Sequence, residues 1–368
     1  MLRTGVFGLL AGVVVSLCPG CVMSPAQRGD THPVAFIELT IEDAHQAIRE
    51  RRISCEQLTR RYLKRIETYD QPTQLNAIIY INPNAIERAR SLDEQYGITG
   101  RMKRLHCIPV ILKDNFDTAD MPTEAGSMAM RGANPPDDAF MVRRLRAQDA
   151  IVIAKSNMSE WAFSPYETVS STHGETRNAY DVSRVPAGSS GGTASAIAAN
   201  FGIIGMGTDT GNSIRGPASH LELVGLRSTI GVTSRDGIVP LLLNRDVGGP
   251  LMRNVTDTAI VFSVIAGVDA ADPATAAAAG RVQDDYTVYL KKDGLQGARL
   301  GLLRALVDSG DADLEVMTTM DRAIEELKAA GAVIVDPFEI PDFDRLRKAT
   351  GFCSRFRYDL QIYLLSRG

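Results

Sequence analysis

Cysteine is scarce in this chain of 368 residues, with five in all. Cys18 and Cys21 lie near the start, and Cys55, Cys107 and Cys353 are widely separated. So few, so far apart, imply no disulfide framework. Histidine is equally sparse. His32, His45, His106, His173 and His220 show no metal-ligand spacing, so no zinc centre is expected. An excess of one charge is missing too: 40 basic residues face 44 acidic ones, for a net charge of −4. That balance argues against nucleic acid as the main partner, because phosphate binding needs a basic surface. What is present, 44% apolar residues in a chain of this length, suits a globular protein with a large core.

Long hydrophobic runs are also lacking. The apolar stretch at residues 6–17 is too short to span a bilayer comfortably. Arg3 precedes it, and Cys18-Pro19-Gly20-Cys21 follows. Charge, apolar run and small residues in that order form the pattern of a secretory signal. Residues 1–30 are therefore expected to be a signal peptide and flexible lead, and the protein to be exported, periplasmic or extracellular. Cys21 is a candidate lipid-attachment site, although Cys18 stands where such motifs usually carry an aliphatic residue. The Cys18–Cys21 spacing falls inside this leader and is not read as a redox or metal motif.

Further along, Thr40 can cap a first helix, with Asp43 near its start. Ser54-Cys55-Glu56-Gln57 is a capping-box pattern for a second. Residues 75–81 read as a strand. Asn82-Pro83 reads as the cap and first position of another helix. The chain then alternates: strands at 108–112, 150–154 and 203–206, helices at 139–148 and 191–201. Helices at 255–266 and 314–329 and strands at 299–303 and 333–335 follow. Residues 270–280 read as a surface loop or short helix. This alternation predicts an α/β fold, a mostly parallel or mixed central sheet covered by helices on both faces. No linker divides the chain after the leader.

Three short segments carry chemistry. The first is Val110-Ile111-Leu112-Lys113-Asp114-Asn115, a lysine closing an apolar strand. Burial there favours the neutral amine, which can take a proton from a hydroxyl. Asp114 and Asn115 are placed to orient it. The second is Gly188-Ser189-Ser190-Gly191-Gly192, ahead of a helix of small residues. Alone it could be a phosphate nest, but it lacks the Gly-Lys-Ser/Thr ending of a P-loop. The third is Gly207-Thr208-Asp209-Thr210-Gly211-Asn212-Ser213-Ile214-Arg215. A glycine-bearing loop after a strand can aim several backbone N–H groups at one point, as an oxyanion hole requires. Asp209 and Arg215 flank it and can pair to hold it. Each segment alone also has a plain reading: a surface lysine, an anion nest, a polar turn. No Asp–His pair forms a competing triad; His220 and Glu222 come nearest and fit no nucleophile turn.

Together the three segments resemble the amidase signature family of serine hydrolases. The match runs from about residue 40 to 267 and takes in Lys155-Ser156-Asn157-Met158-Ser159-Glu160-Trp161. The resemblance implies Lys113 as base, Ser213 as the nucleophile that forms the acyl-enzyme, and Ser189 as the proton bridge after a cis peptide bond. It implies an oxyanion hole from the backbone of Thr210, Gly211, Asn212 and Ser213, with Ser190, Asp209 and Arg215 in support. No cofactor or metal is implied, and the substrate is a small-molecule linear amide. Lys155 matches a family position but receives no catalytic role.

Asn212 departs from the pattern, standing where the family usually has glycine. Asn tolerates positive φ, so the loop is expected to survive with a shifted substrate range. The family's catalytic domain is also usually longer, so residues 31–368 are expected to lack its C-terminal part. Two other readings stay open: the glutaminase component of an amidotransferase, and an inactive binding protein.

Overall fold

The computed structural model describes residues 36–308, 310, 312–349 and 355–367. The leader, with Cys18 and the candidate lipid site Cys21, and Cys353 lie outside the described residues. Ten strands are described: β1 (Ile78–Ile81), β2 (Pro109–Lys113), β3 (Ile151–Ser156), β4 (Thr168–Ser170), β5 (Gly174–Thr176), β6 (Ile204–Asp209), β7 (Val224–Gly225), β8 (Val247–Met252), β9 (Arg299–Gly301) and β10 (Val333–Val335). The helices are α1 (Ile41–Arg49), α2 (Cys55–Tyr69), α3 (Ala85–Thr99), α4 (Phe140–Ala147), α5 (Gly191–Ala198), α6 (Arg215–His220), α7 (Val255–Ile265), α8 (Arg304–Val307), α9 (Leu314–Ala329), α10 (Phe343–Ala349) and α11 (Phe356–Arg367). Among the described residues, no helix is long and apolar enough to cross a membrane.

Six strands form the main sheet in the order β1-β3-β2-β6-β8-β7. The centre, β3-β2-β6, is parallel; β1, β8 and β7 join antiparallel. The sheet is therefore mixed. Strands β2, β3, β6 and β8 are buried along their whole length, as expected where both faces are covered. Glycines show what covers each face. A Cβ at Gly205 of β6 would collide with Ile197 and Thr193 of α5. One at Gly248 of β8 would collide with Met141 of α4. Thr208 pairs with Gly248 across the strands, so Gly248 belongs to the face opposite Gly205. Helix α5 thus covers one face and α4 the other.

The local signals mostly hold. Thr40 and Ser54 both form full capping boxes, with Asp43 and Gln57. Asn82-Pro83 does not start α3: that helix begins at Ala85 behind Asn84. The Asn82 side chain instead accepts from Asn84 N and donates to Asp120 and to Val152 O, building the turn before the helix. Residues 273–278 form a short 3₁₀ helix within the Ala-rich stretch. Strands β9 and β10 pair with each other, parallel, in a sheet of their own. Cys55 and Cys107 form a disulfide, against the expectation from their separation. The fold brings the start of α2 beside the turn that leads into β2, which sequence spacing does not reveal.

Candidate active site

The site lies where β2 and β6 end and α5 begins. Lys113 closes β2 and is wholly buried. Its Nζ donates to Ser189 Oγ at 2.7 Å and to Thr208 Oγ1 at 2.8 Å. Asn115 Nδ2 donates to the same Thr208 oxygen at 3.0 Å. Burial pulls Lys113 from 10.5 down to about 7, against the opposing pull of the Asp209 and Asp246 carboxylates. Near neutral pH a substantial share of this amine is uncharged and able to accept a proton.

Ser189 follows a cis peptide bond from Gly188, as the resemblance implied. Its carbonyl accepts from Ser159 N at 3.1 Å, which ties it to the loop after β3. Ser190, one residue on, donates from Oγ to Thr208 O at 3.1 Å. That bond fastens the start of α5 to β6. Helix α5 is built of Gly, Ala, Ser and Thr apart from Ile197, and short side chains let it approach the sheet this closely.

The loop from Thr210 to Ser213 runs between β6 and α6. Asp209, fully buried, holds it from beneath. Its Oδ2 accepts from Ile214 N at 3.1 Å and Arg215 Nε at 3.1 Å, and Arg227 pairs with its Oδ1 at 3.0 Å. Burial works against the charged carboxylate, but the bonds from Arg215 and Ile214 outweigh it and hold Asp209 below the usual range. Thr210 Oγ1 donates to Asp246, whose other oxygen accepts from Leu241 N and Leu242 N, both at 2.9 Å. Among the described residues, no hydrogen bond engages the backbone N–H of Thr210, Gly211, Asn212 or Ser213. Backbone N–H groups of such a loop are the kind of donor an oxyanion hole uses.

The structure joins the predicted residues in part. Lys113 and Ser189 are directly bonded. The Ser213 hydroxyl makes no hydrogen bond among the described residues, so it is not joined to Ser189 here. Asp114 does not orient Lys113. Its carboxylate accepts from Glu124 N at 3.2 Å and Gly126 N at 3.0 Å, which pins the chain after β2. Asn115 does act on the lysine, through Thr208. Asn212 is not in the left-handed region, so its tolerance of positive φ is not what fits it here. Its Nδ2 reaches Pro165 O at 3.3 Å and lies over Gly216, in a cleft of about 380 Å³ shared with Ala187 and Arg215. Lys155 is also buried, donating to Phe116 O at 2.6 Å and Thr123 Oγ1 at 2.9 Å. The hydrogen bonds of its ammonium reach neither Lys113, Ser189 nor Ser213.

Sequence reasoning missed Thr208 and Asp246. Thr208 lies inside the third motif, and alternation along the strand end could have placed its hydroxyl beside Lys113. Asp246 sits in an ordinary loop and left no signal. It also missed a second group of chemistry-bearing side chains. Cys55, His106 and Cys107 come together in the interior, the two sulfurs already joined.

The Amidase family model matches residues 57–355. The chain is 35% identical over 328 residues to one component of the glutamyl-tRNA(Gln) amidotransferase of Caldanaerobacter subterraneus subsp. tengcongensis, covering 87% of this chain and 65% of that protein. It is 33% identical to a probable amidase of Arabidopsis thaliana, over 89% of this chain and 64% of the relative. The chain thus spans just under two thirds of these relatives. The crystal structure of the native peptide amidase of Stenotrophomonas maltophilia superimposes with a TM-score of 0.83 at 40% identity, over 91% of this chain and 69% of the amidase. By motif, sheet and relatives alike, this chain belongs to the amidase signature family.

Proposed function

We propose that this chain hydrolyses the C–N bond of a linear carboxamide through an acyl-enzyme on Ser213. The observation that carries this reading is the 2.7 Å bond between a buried Lys113 and Ser189. Thr208 takes one N–H of the neutral amine, which leaves the lone pair for the Ser189 proton. Ser213 Oγ attacks the amide carbon as its proton passes to Ser189 and the Ser189 proton passes to Lys113. The oxyanion is received by the free N–H groups of the 210–213 loop. Collapse breaks the C–N bond, and the proton returns through Ser189 to the leaving nitrogen. Water then attacks the ester by the same route in reverse. The open Ser213–Ser189 contact closes when substrate seats, as catalytic hydrogen bonds commonly tighten in the complex.

The 40% identity to a peptide amidase supports a peptide-like amide as substrate. The similarity to an amidotransferase component supports a second reading, a glutaminase that works within a complex. Export remains part of the first reading. A disulfide between Cys55 and Cys107 supports it, because such bonds persist in oxidising compartments.

The test is a panel of amides, including glutamine and peptide amides, with mass detection of the acylated protein. Hydrolysis of a peptide amide with mass added on Ser213, and none in Ser213→Ala, is expected. Turnover of glutamine alone, and only with partner proteins present, would shift the reading to the second. No acylation of a folded wild type would leave an inactive binding protein.

A further inference from the structure

Helix α11 lies far from Lys113 in sequence, yet its side chains converge on the segment that follows this residue. Tyr363 Oη donates to Asp117 Oδ1 at 2.6 Å, across 246 positions of chain. Arg367 Nε lies 3.0 Å from Asp117 Oδ2. Asp117 is fully buried and sits four residues after the lysine. At the other end of the 113–117 segment, Asp114 is pinned by Glu124 N and Gly126 N. The segment is therefore clasped at both ends, and one clasp is α11.

The ring of Tyr363 adds three further links. It packs in a small cluster with Met158, Val239, Leu241 and Leu242. Met158 precedes Ser159, whose N–H holds the Ser189 carbonyl at 3.1 Å. Val239 N donates to Asn115 O at 2.9 Å, and Asn115 holds Thr208 against Lys113. Leu241 and Leu242 donate to Asp246, which holds the Thr210 hydroxyl. Asp359 of the same helix accepts from Leu243 N at 3.0 Å. One helix thus braces the segments behind the lysine, the bridging serine and the oxyanion loop.

We propose that α11 is a positioning element for catalysis, with Tyr363 and Arg367 acting through Asp117 to hold Lys113 Nζ on Ser189. Neither side chain reaches the reacting atoms. Their effect is geometric, and small misplacements of a catalytic group are costly. The proposal rests on the reading of Lys113 as base.

The test compares rates of covalent labelling by a fluorophosphonate, with KM and kcat on an amide that the wild type hydrolyses. Tyr363→Phe keeps the ring and removes only the hydroxyl. It should slow labelling and lower kcat by about tenfold, with KM unchanged. Arg367→Gln, which leaves the phenol bond in place, should act in the same direction. Tyr363→Phe combined with Asp117→Asn should be no slower than Asp117→Asn alone, because both act along one line. Arg304→Ala, on the separate β9–β10 unit, serves as a control that lowers the melting temperature without changing kcat. Wild-type kcat in both folded α11 variants, or losses in the double variant that simply multiply, would overturn the proposal and leave the Lys113 reading standing. An unlabelled wild type would instead strike that reading itself.

Discussion

A fully buried lysine is a liability to the fold. Unfolded, the Lys113 amine keeps its proton to about 10.5; folded, it releases it near 7. Between those values the unfolded chain binds the extra proton, so stability rises with pH across that window. Below pH 7 the destabilisation is complete. Lys113→Met should therefore melt higher than wild type at pH 6, with the gap shrinking as the pH climbs. Calorimetry across pH reads this directly, and an equal or lower melting temperature at pH 6 would contradict it. Asn212 is the other residue whose role is specific to this chain. Its amide ties the 210–213 loop to Pro165 O and fills the space over Gly216. Asn212→Gly should keep acylation by small amides within about tenfold and broaden the range of bulkier ones, since it removes a wall and no reacting group. An unchanged profile across the amide panel would show that the side chain does not shape the cleft.

At the scale of elements, the local grammar of the chain was legible and its long-range pairings were not. The cap at Thr40, the capping box at Ser54, and the bounds of α9 and β10 follow from nearest-neighbour chemistry. Strand β8 did not announce itself. Val247-Gly248-Gly249-Pro250-Leu251-Met252 has no alternation and carries a proline, and it becomes a strand by pairing with β6. The α4 face needs Gly248 bare, so the residues that weaken the local signal are those the packing requires. The disulfide belongs to the same class. Cys55 and Cys107 are separated by 52 positions, and only the fold of α2 against the β2 entry joins them. Closing a loop of that length restricts the unfolded chain and is worth about 4 kcal/mol in the chain-entropy view. Cys55→Ser with Cys107→Ser should lower the denaturation midpoint accordingly while leaving the Lys113–Ser189 geometry, and hence kcat, little changed. A midpoint unaffected by the double substitution would show that the bond adds nothing to stability.

At the scale of the whole molecule, the site is an assembly of three segments that the sheet and α5 bring to one point. The motifs were legible because each holds its special residues close together. Ser190 bonding Thr208 O, and Asp209 bonding Ile214 N, are contacts within or between motifs. What surrounds them was not legible. Asp246, Asp117 and Tyr363 gain their roles only when loops and a distant helix close around the lysine. The proposed reaction turns on the protonation of one amine. The most direct measurement is the fluorophosphonate labelling rate of wild type and Lys113→Ala as a function of pH. The wild-type rate should rise through an inflection near pH 7, and Lys113→Ala should lose both the inflection and about a hundredfold or more of the rate. A variant that labels as fast as wild type, or a wild-type rate flat from pH 5 to about 9, would contradict it.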